Sequence, residues 1–141
     1  MKTFVATLVL SALALALTPS TAPAEEVYID GTKYAAIAYS PKTGTSGYAW
    51  NCWTREEAER TALEQCNEPD AKVMVWVQYG WAVLLIAEDG SYASGFVYGD
   101  GCSPADAYKN ALKQLRTYTQ TRVVKAIVVC SGNVAPRVIT D

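Results

Sequence analysis

A helix-length segment occurs twice in this chain, and that repetition constrains the fold more than any other feature. CWTREEAERTALEQC runs from Cys52 to Cys66, and CSPADAYKNALKQL runs from Cys102 to Leu115. With a shift of 49 residues, Ala58, Ala62, Leu63 and Gln65 fall on Ala107, Ala111, Leu112 and Gln114. Each copy opens with a hydroxyl and an acid three residues on, Thr54 with Glu57 and Ser103 with Asp106. The hydroxyl can accept from a free backbone N–H of the first turn, while the acid faces the positive end of the helix. Pro104 suits a first helical position. At 100° per residue, Ala58, Ala62, Leu63 and Cys66 share one arc, as do Ala107, Tyr108, Ala111, Leu112 and Leu115. Two short amphipathic helices are therefore expected, with alanine-rich faces that allow close approach to a sheet.

The flanks repeat in kind. YAAIAYSPKTGTSGYAWN (Tyr34 to Asn51) and WAVLLIAEDGSYASGFVYG (Trp81 to Gly99) both read as strand, turn, strand, with Asp89-Gly90 as a hairpin turn in the second. KVMVWVQY follows the first helix and VVKAIVVC the second, both rich in β-branched residues. The expected fold is α+β, ββαβ-ββαβ: duplicated half-domains, an antiparallel-rich sheet and two short amphipathic helices. The single domain spans 34–130 as pseudo-repeats 34–79 and 81–130, after an extension at 25–33. Residues 131–141, with Gly132, Asn133 and Pro136, read as a loose tail. One half alone would bury too little apolar surface to be stable.

The N-terminus reads as a secretory signal peptide over residues 1–24. Met1-Lys2 precedes the apolar run FVATLVLSALALAL (Phe4 to Leu17), and Ala22-Pro23-Ala24 supplies a small-x-small cleavage pattern. The run is shorter than the roughly 20 residues of a membrane span. A periplasmic or extracellular location is expected, with no membrane span once the leader is removed. Residues 25–141 hold eleven basic and fourteen acidic side chains. A nucleic-acid binder would be basic over a whole face, so that class is not expected.

Four cysteines, Cys52, Cys66, Cys102 and Cys130, lie beyond the leader. An even count in an oxidising compartment reads as two disulfides. Cys52 and Cys66 flank one helix, which holds them roughly 15–20 Å apart at 1.5 Å per residue. That exceeds the reach of a disulfide, and excludes with it the pairing of Cys102 to Cys130. Cys52–Cys102 with Cys66–Cys130, or Cys52–Cys130 with Cys66–Cys102, remain. Histidine is absent and no Cys-x-x-Cys occurs, so no metal and no cofactor is expected.

YAAIAYSPKTGTSGYAWN, REEAERTALEQC and KVMVWV together resemble the bacterial domain of unknown function 4189 family, over about Tyr34 to Cys130. The resemblance implies an exported, disulfide-bonded small domain and brings no established reaction with it. Two positions depart from the family pattern. Trp81 stands where the family often has a cysteine, and Leu115 stands where the repeat would place one. Disulfide pairings therefore do not carry over.

The absence of histidine removes Ser-His-Asp and Cys-His machinery. An enzyme would have to work with carboxylates, drawn from Glu56, Glu57, Glu59, Asp100 and Asp106. Glu57 and Asp106 read as cap acids, and Glu56 and Glu64 as solvated. Glu59 falls inside the apolar arc, where Tyr108 stands in the second copy; desolvation there would raise its pKa unless a cation or an N–H reached it. Tyr48, Trp50 and Trp53 crowd the end of the second strand and form a candidate recognition surface; Trp76 reads as core. Lys109, Lys113 and Arg116 form a basic stripe on the second helix that can steer an acidic partner. The expected function is a small secreted or periplasmic binding module, an inhibitor or effector acting by surface recognition on a protein or envelope polymer, and not an enzyme. The alternatives are a carboxylate-based hydrolase of envelope polymers and an envelope structural protein without a discrete ligand.

Overall fold

The computed structural model describes residues 29–141, so the leader over 1–24 and the start of the 25–33 extension lie outside the described residues. The element order is β1 (Tyr34–Tyr39), β2 (Ser46–Cys52), α1 (Arg55–Cys66), β3 (Lys72–Gln78), β4 (Gly80–Ala87), β5 (Tyr92–Tyr98), α2 (Pro104–Leu115), β6 (Val123–Cys130) and β7 (Arg137–Thr140). The fold is α+β with antiparallel pairing throughout. Both helices start as their caps dictate. Thr54 and Ser103 accept from the N–H of Glu57 and Asp106 at 3.1 and 3.2 Å, and Glu57 reaches back to the N–H of Trp53 at 3.0 Å. Asn67, in the left-handed region at φ 50°, closes α1 by donating to Leu63 O.

The strands form two sheets where the sequence suggested one. Their orders are β2-β1-β3 and β5-β4-β6-β7, so the first three strands of each half are arranged alike. Each half closes its own sheet around its first strand, and the two sheets then stack. Ile37, Val75 and Val77 meet Leu84, Ile127 and Val129 in the space between them. α1 covers the outer face of the first sheet through Ala58, Ala62 and Cys66, against Ala36, Ala38 and Ala49. α2 covers the second through Ala107, Ala111 and Leu115, against Val83, Leu85 and Val128. The layers run helix, sheet, sheet, helix. β4 is apolar along its length because it is covered on both faces, and all eight of its residues are buried.

Both helices lie against their sheets closely enough to require glycine. A methyl group on Gly47 would overlap Ala62 O and Cys66 N, and one on Gly95 would overlap Ala111 N and Ala107 O. Turns are locked by carboxylates. Asp70 accepts from Ser40 Oγ at 2.5 Å and from the N–H of Lys42 at 3.2 Å, while Asp89 accepts from Thr119 Oγ1 at 2.6 Å and from the N–H of Ser91 at 3.0 Å. The Ser40 hydroxyl lowers the pKa of Asp70, and the Thr119 hydroxyl that of Asp89.

The tail expected to be loose contributes a strand. Arg137–Thr140 pairs antiparallel with β6, from Val128↔Arg137 to Lys125↔Thr140. The expected disulfide staple is absent: all four cysteines are free. Cys52 and Cys66 lie under α1 on the first sheet, whereas Cys102 and Cys130 belong to the core under α2 on the second. The sheet–sheet interior separates the two pairs, which precludes both cross-half sets, Cys52–Cys102 with Cys66–Cys130 and Cys52–Cys130 with Cys66–Cys102. Cys102 and Cys130 share one apolar cluster, yet both are free.

Two outcomes are expected. Gly95→Val and Gly47→Val will each destabilise the protein by about 1–3 kcal/mol or more, through overpacking against a helix backbone, measured by urea unfolding. The depressed pKa values of Asp70 and Asp89 give stability that is complete above about pH 4, the unfolded Asp value. It is lost as pH falls through the lower folded values. Asp89→Asn and Asp70→Asn will therefore lower stability at neutral pH and flatten the acid limb of a stability–pH curve.

Candidate functional site

The residues singled out in the sequence do not converge. Trp53 is exposed and lies over Lys33, whose Nζ is 3.0 Å from the ring centroid. Tyr48 and Trp50 sit side by side on β2, with ring centroids 6.3 Å apart. Tyr48 and Trp50 belong to the first sheet and Trp53 to the turn between β2 and α1, whereas Lys109 and Lys113 lie on α2 and Arg116 caps it, on the far side of the layers. Arg116 is engaged structurally: its guanidinium donates to Thr121 O at 2.7 Å and Thr119 O at 3.3 Å, tying down the loop after α2. Lys109 is exposed. Glu59 is half-buried and bound to Arg55 at 2.7 Å, so a cation does reach it. All four thiols are pushed above the ordinary cysteine value chiefly by burial, which keeps them neutral and poorly nucleophilic.

The principal concavity lies elsewhere, between the edges of the two sheets. β3 ends the first sheet and β5 ends the second, and the two strands lie against each other. Between them opens a cleft of about 1000 Å³, bounded by Met74–Gln78 of β3 and by Tyr92–Phe96 and Tyr98 of β5, with Leu84 at its base. α2 and its following turn supply the remaining wall through Asn110, Lys113, Gln114 and Tyr118. Lys113 is the one member of the expected basic stripe that faces this space.

The cleft is aromatic because alternation on β5 carries Phe96 and Tyr98 to the same face as Tyr92. Tyr92 packs into the sheet–sheet core, where Tyr39 meets it edge-on at 5.3 Å. Phe96 and Tyr98 lie further along and are exposed, 49% and 72% respectively, with their rings stacked at 6.3 Å. Trp76 is 37% exposed rather than core. Alternation along β3 places Val75 and Val77 in the core and turns Trp76, opposite Ala36, towards the α1 side, where Arg55 stacks on it at 4.1 Å. Alternation on β5 was readable in the sequence; the missing cover over Phe96 and Tyr98 was not. Among the described residues, no Asp, Glu, His or Cys lines the cleft, and its one charge is that of Lys113.

The family model for the Domain of unknown function (DUF4189) matches residues 34–130, which is β1 through β6. The chain belongs to the DUF4189 family. This DUF4189 chain is similar to Protein Rv1269c of Mycobacterium tuberculosis and Protein Mb1300c of Mycobacterium bovis. It is 39% identical to each over 82 residues, 58% of this chain and 60% of those proteins. The Uncharacterized protein Rv1813c of M. tuberculosis is 49% identical over 41 residues, covering 29% of this chain and 28% of its own length. The chain thus spans less than two thirds of these relatives. No solved structure matches it. Among the described residues of the DUF4189 chain, no helix is long and apolar enough to cross a membrane, and no cluster of three potential ligands could hold a metal ion.

The Arg55–Glu59 pair is a partly exposed i,i+4 contact on the helix surface and contributes about 0.3–0.5 kcal/mol. Glu59→Gln will accordingly shift the urea midpoint only slightly and leave the far-UV circular dichroism spectrum unchanged.

Proposed function

We propose that the protein is an exported recognition module, an inhibitor or effector that acts by binding, and that the β3–β5 cleft is its binding surface. The observation that carries this reading is the exposure of Phe96 and Tyr98 at the mouth of a large cleft, beside Lys113. Large aromatics left uncovered in a concavity mark interaction sites, because they contribute contact area at low entropic cost. That no carboxylate lines the cleft among the described residues favours binding over an acid-pair hydrolase, which needs two such groups across its cleft. Export rests on the leader-like segment over residues 1–24. The shared strand order and the equal 12-residue helices support descent of the two halves from one duplicated unit.

The test compares the purified protein with the double variant Phe96→Ser/Tyr98→Ser, whose side chains are exposed and whose melting temperature should change little. Both are used as bait against envelope and secreted fractions. Saturable capture by the wild type will be lost in the double variant and kept in Trp53→Ala. Capture that survives the double variant, or that is lost only with Trp53→Ala, would move the site to the Trp50–Trp53 surface and overturn the assignment to the cleft.

A further inference from the structure

The occupant of the cleft can be read from the opposite side of the same molecule. In the shared strand order, β3 holds in the first sheet the position that β6 holds in the second. β6 lies against β2 as β3 lies against β5, so each of these strands borders an aromatic pair, Tyr48 and Trp50 in one case and Phe96 and Tyr98 in the other. The two edges differ in one respect. β6 carries an added antiparallel strand, β7, whereas among the described residues β3 ends its sheet without one. The chain therefore places an extended segment at one of two similar edges and leaves the other open to the cleft.

The open edge has unpaired strand groups. Odd residues of β3 bond inward, as the pairs Ile37↔Val75 and Ala35↔Val77 and the bond from Tyr79 N–H to Lys33 O require. Trp76 and Gln78 consequently direct their N–H and C=O away from β1. Among the described residues no side chain or loop bonds to them, whereas Met74 O is taken by Ser94 Oγ at 3.1 Å. The edge of β5 is better covered, because Asn110 Nδ2 donates to Phe96 O at 3.1 Å. β2 is covered likewise, with Gln65 Oε1 accepting from the N–H of Tyr48 at 2.8 Å. Of the strand edges around the cleft, the stretch from Trp76 to Gln78 is the one left ready to pair.

We infer that the cleft binds an extended peptide segment by strand addition, with the segment lying antiparallel to β3 at Trp76–Gln78, its apolar residues on Phe96 and Tyr98 and an acidic residue on Lys113. This rests on the cleft being the binding surface and names the class of ligand it takes. Main-chain bonds to a free edge supply affinity and side-chain pockets supply selectivity, as in other strand-addition sites. Charge selects the acidic segment: among the described residues Lys113 is the only charged one lining the cleft, Lys109 lies one turn away on α2, and Lys72 begins β3.

The probe is a blocked octapeptide of alternating valine and glutamate, with two controls. One replaces glutamate by lysine; the other is N-methylated on every backbone amide and cannot donate to an edge. Binding to the purified protein is followed by fluorescence anisotropy and by amide hydrogen exchange resolved to single residues. The acidic peptide should bind at least tenfold more tightly than either control and slow exchange at Trp76 and Gln78. Gln78→Pro, which deletes one outward donor, and Lys113→Glu should each weaken it about tenfold. Equal binding of the N-methylated peptide, unchanged exchange at Trp76 and Gln78, or no binding of the acidic peptide would overturn strand addition. If capture sensitive to Phe96→Ser/Tyr98→Ser persists in any of these cases, the cleft reading stands while strand addition falls; if that capture is also lost from the wild type, both fall. Protection of the same amides with rising protein concentration alone, together with dimer sedimentation, would make a second copy the occupant and overturn the acidic peptide.

Discussion

The inner faces of two three-stranded units must bury each other, and everything else in this protein is arranged around that contact. Ile37, Leu84 and Ile127 are fully excluded from solvent in the space between the sheets. Burying each such side chain contributes about 1.5–3 kcal/mol. With domain stability commonly only about 5–15 kcal/mol in total, neither half can dispense with the other. The same demand makes β4 apolar on both faces, since it is covered by the first sheet on one side and by α2 on the other. Alanine on the helices and glycine at positions 47 and 95 then bring the outer layers close enough to complete the burial.

Stacking also creates the cleft. The sheets meet through β3, β1 and β2 over β5, β4 and β6, but cover stops short of the far part of β5. Tyr92 is caught in the core while Phe96 and Tyr98, on the same face of the same strand, stand clear of it. The strand edges nearby are treated unequally. Asn110 and Gln65 from the helices cap β5 and β2, β7 pairs with β6, and β3 is left with a partly blunted edge. Unpaired edges invite pairing with other chains.

Much of the local structure was legible from residue types. The hydroxyl–acid pairs before both helices set their first turns, and the β-branched runs became strands at the expected places. The site was only partly legible. Lys113 was singled out for its charge, but its neighbours on the stripe go elsewhere, Arg116 to loop carbonyls and Lys109 to solvent. Trp76 reads as core from its apolar neighbours, yet alternation puts it on the face opposite Val75 and Val77, out of the sheet–sheet interior. The cysteines misled for a related reason. Parity and compartment argue for bridges, whereas distance is decided by which face of which sheet each thiol occupies.

By itself, the sequence determined the periodicity of each segment, the capped ends of both helices, the ββαβ order of each half and membership of the DUF4189 family. Those properties depend on neighbours within a few turns or one hairpin, where spacing and side-chain type suffice. Tertiary structure alone decided that the strands form two stacked sheets, that the tail adds β7, that the cysteine pairs lie on opposite sides of the core, and that β3 keeps a free edge beside exposed aromatics. Each of these follows from how two independently closed sheets overlap. That overlap is a matter of long-range burial, which no local pattern encodes.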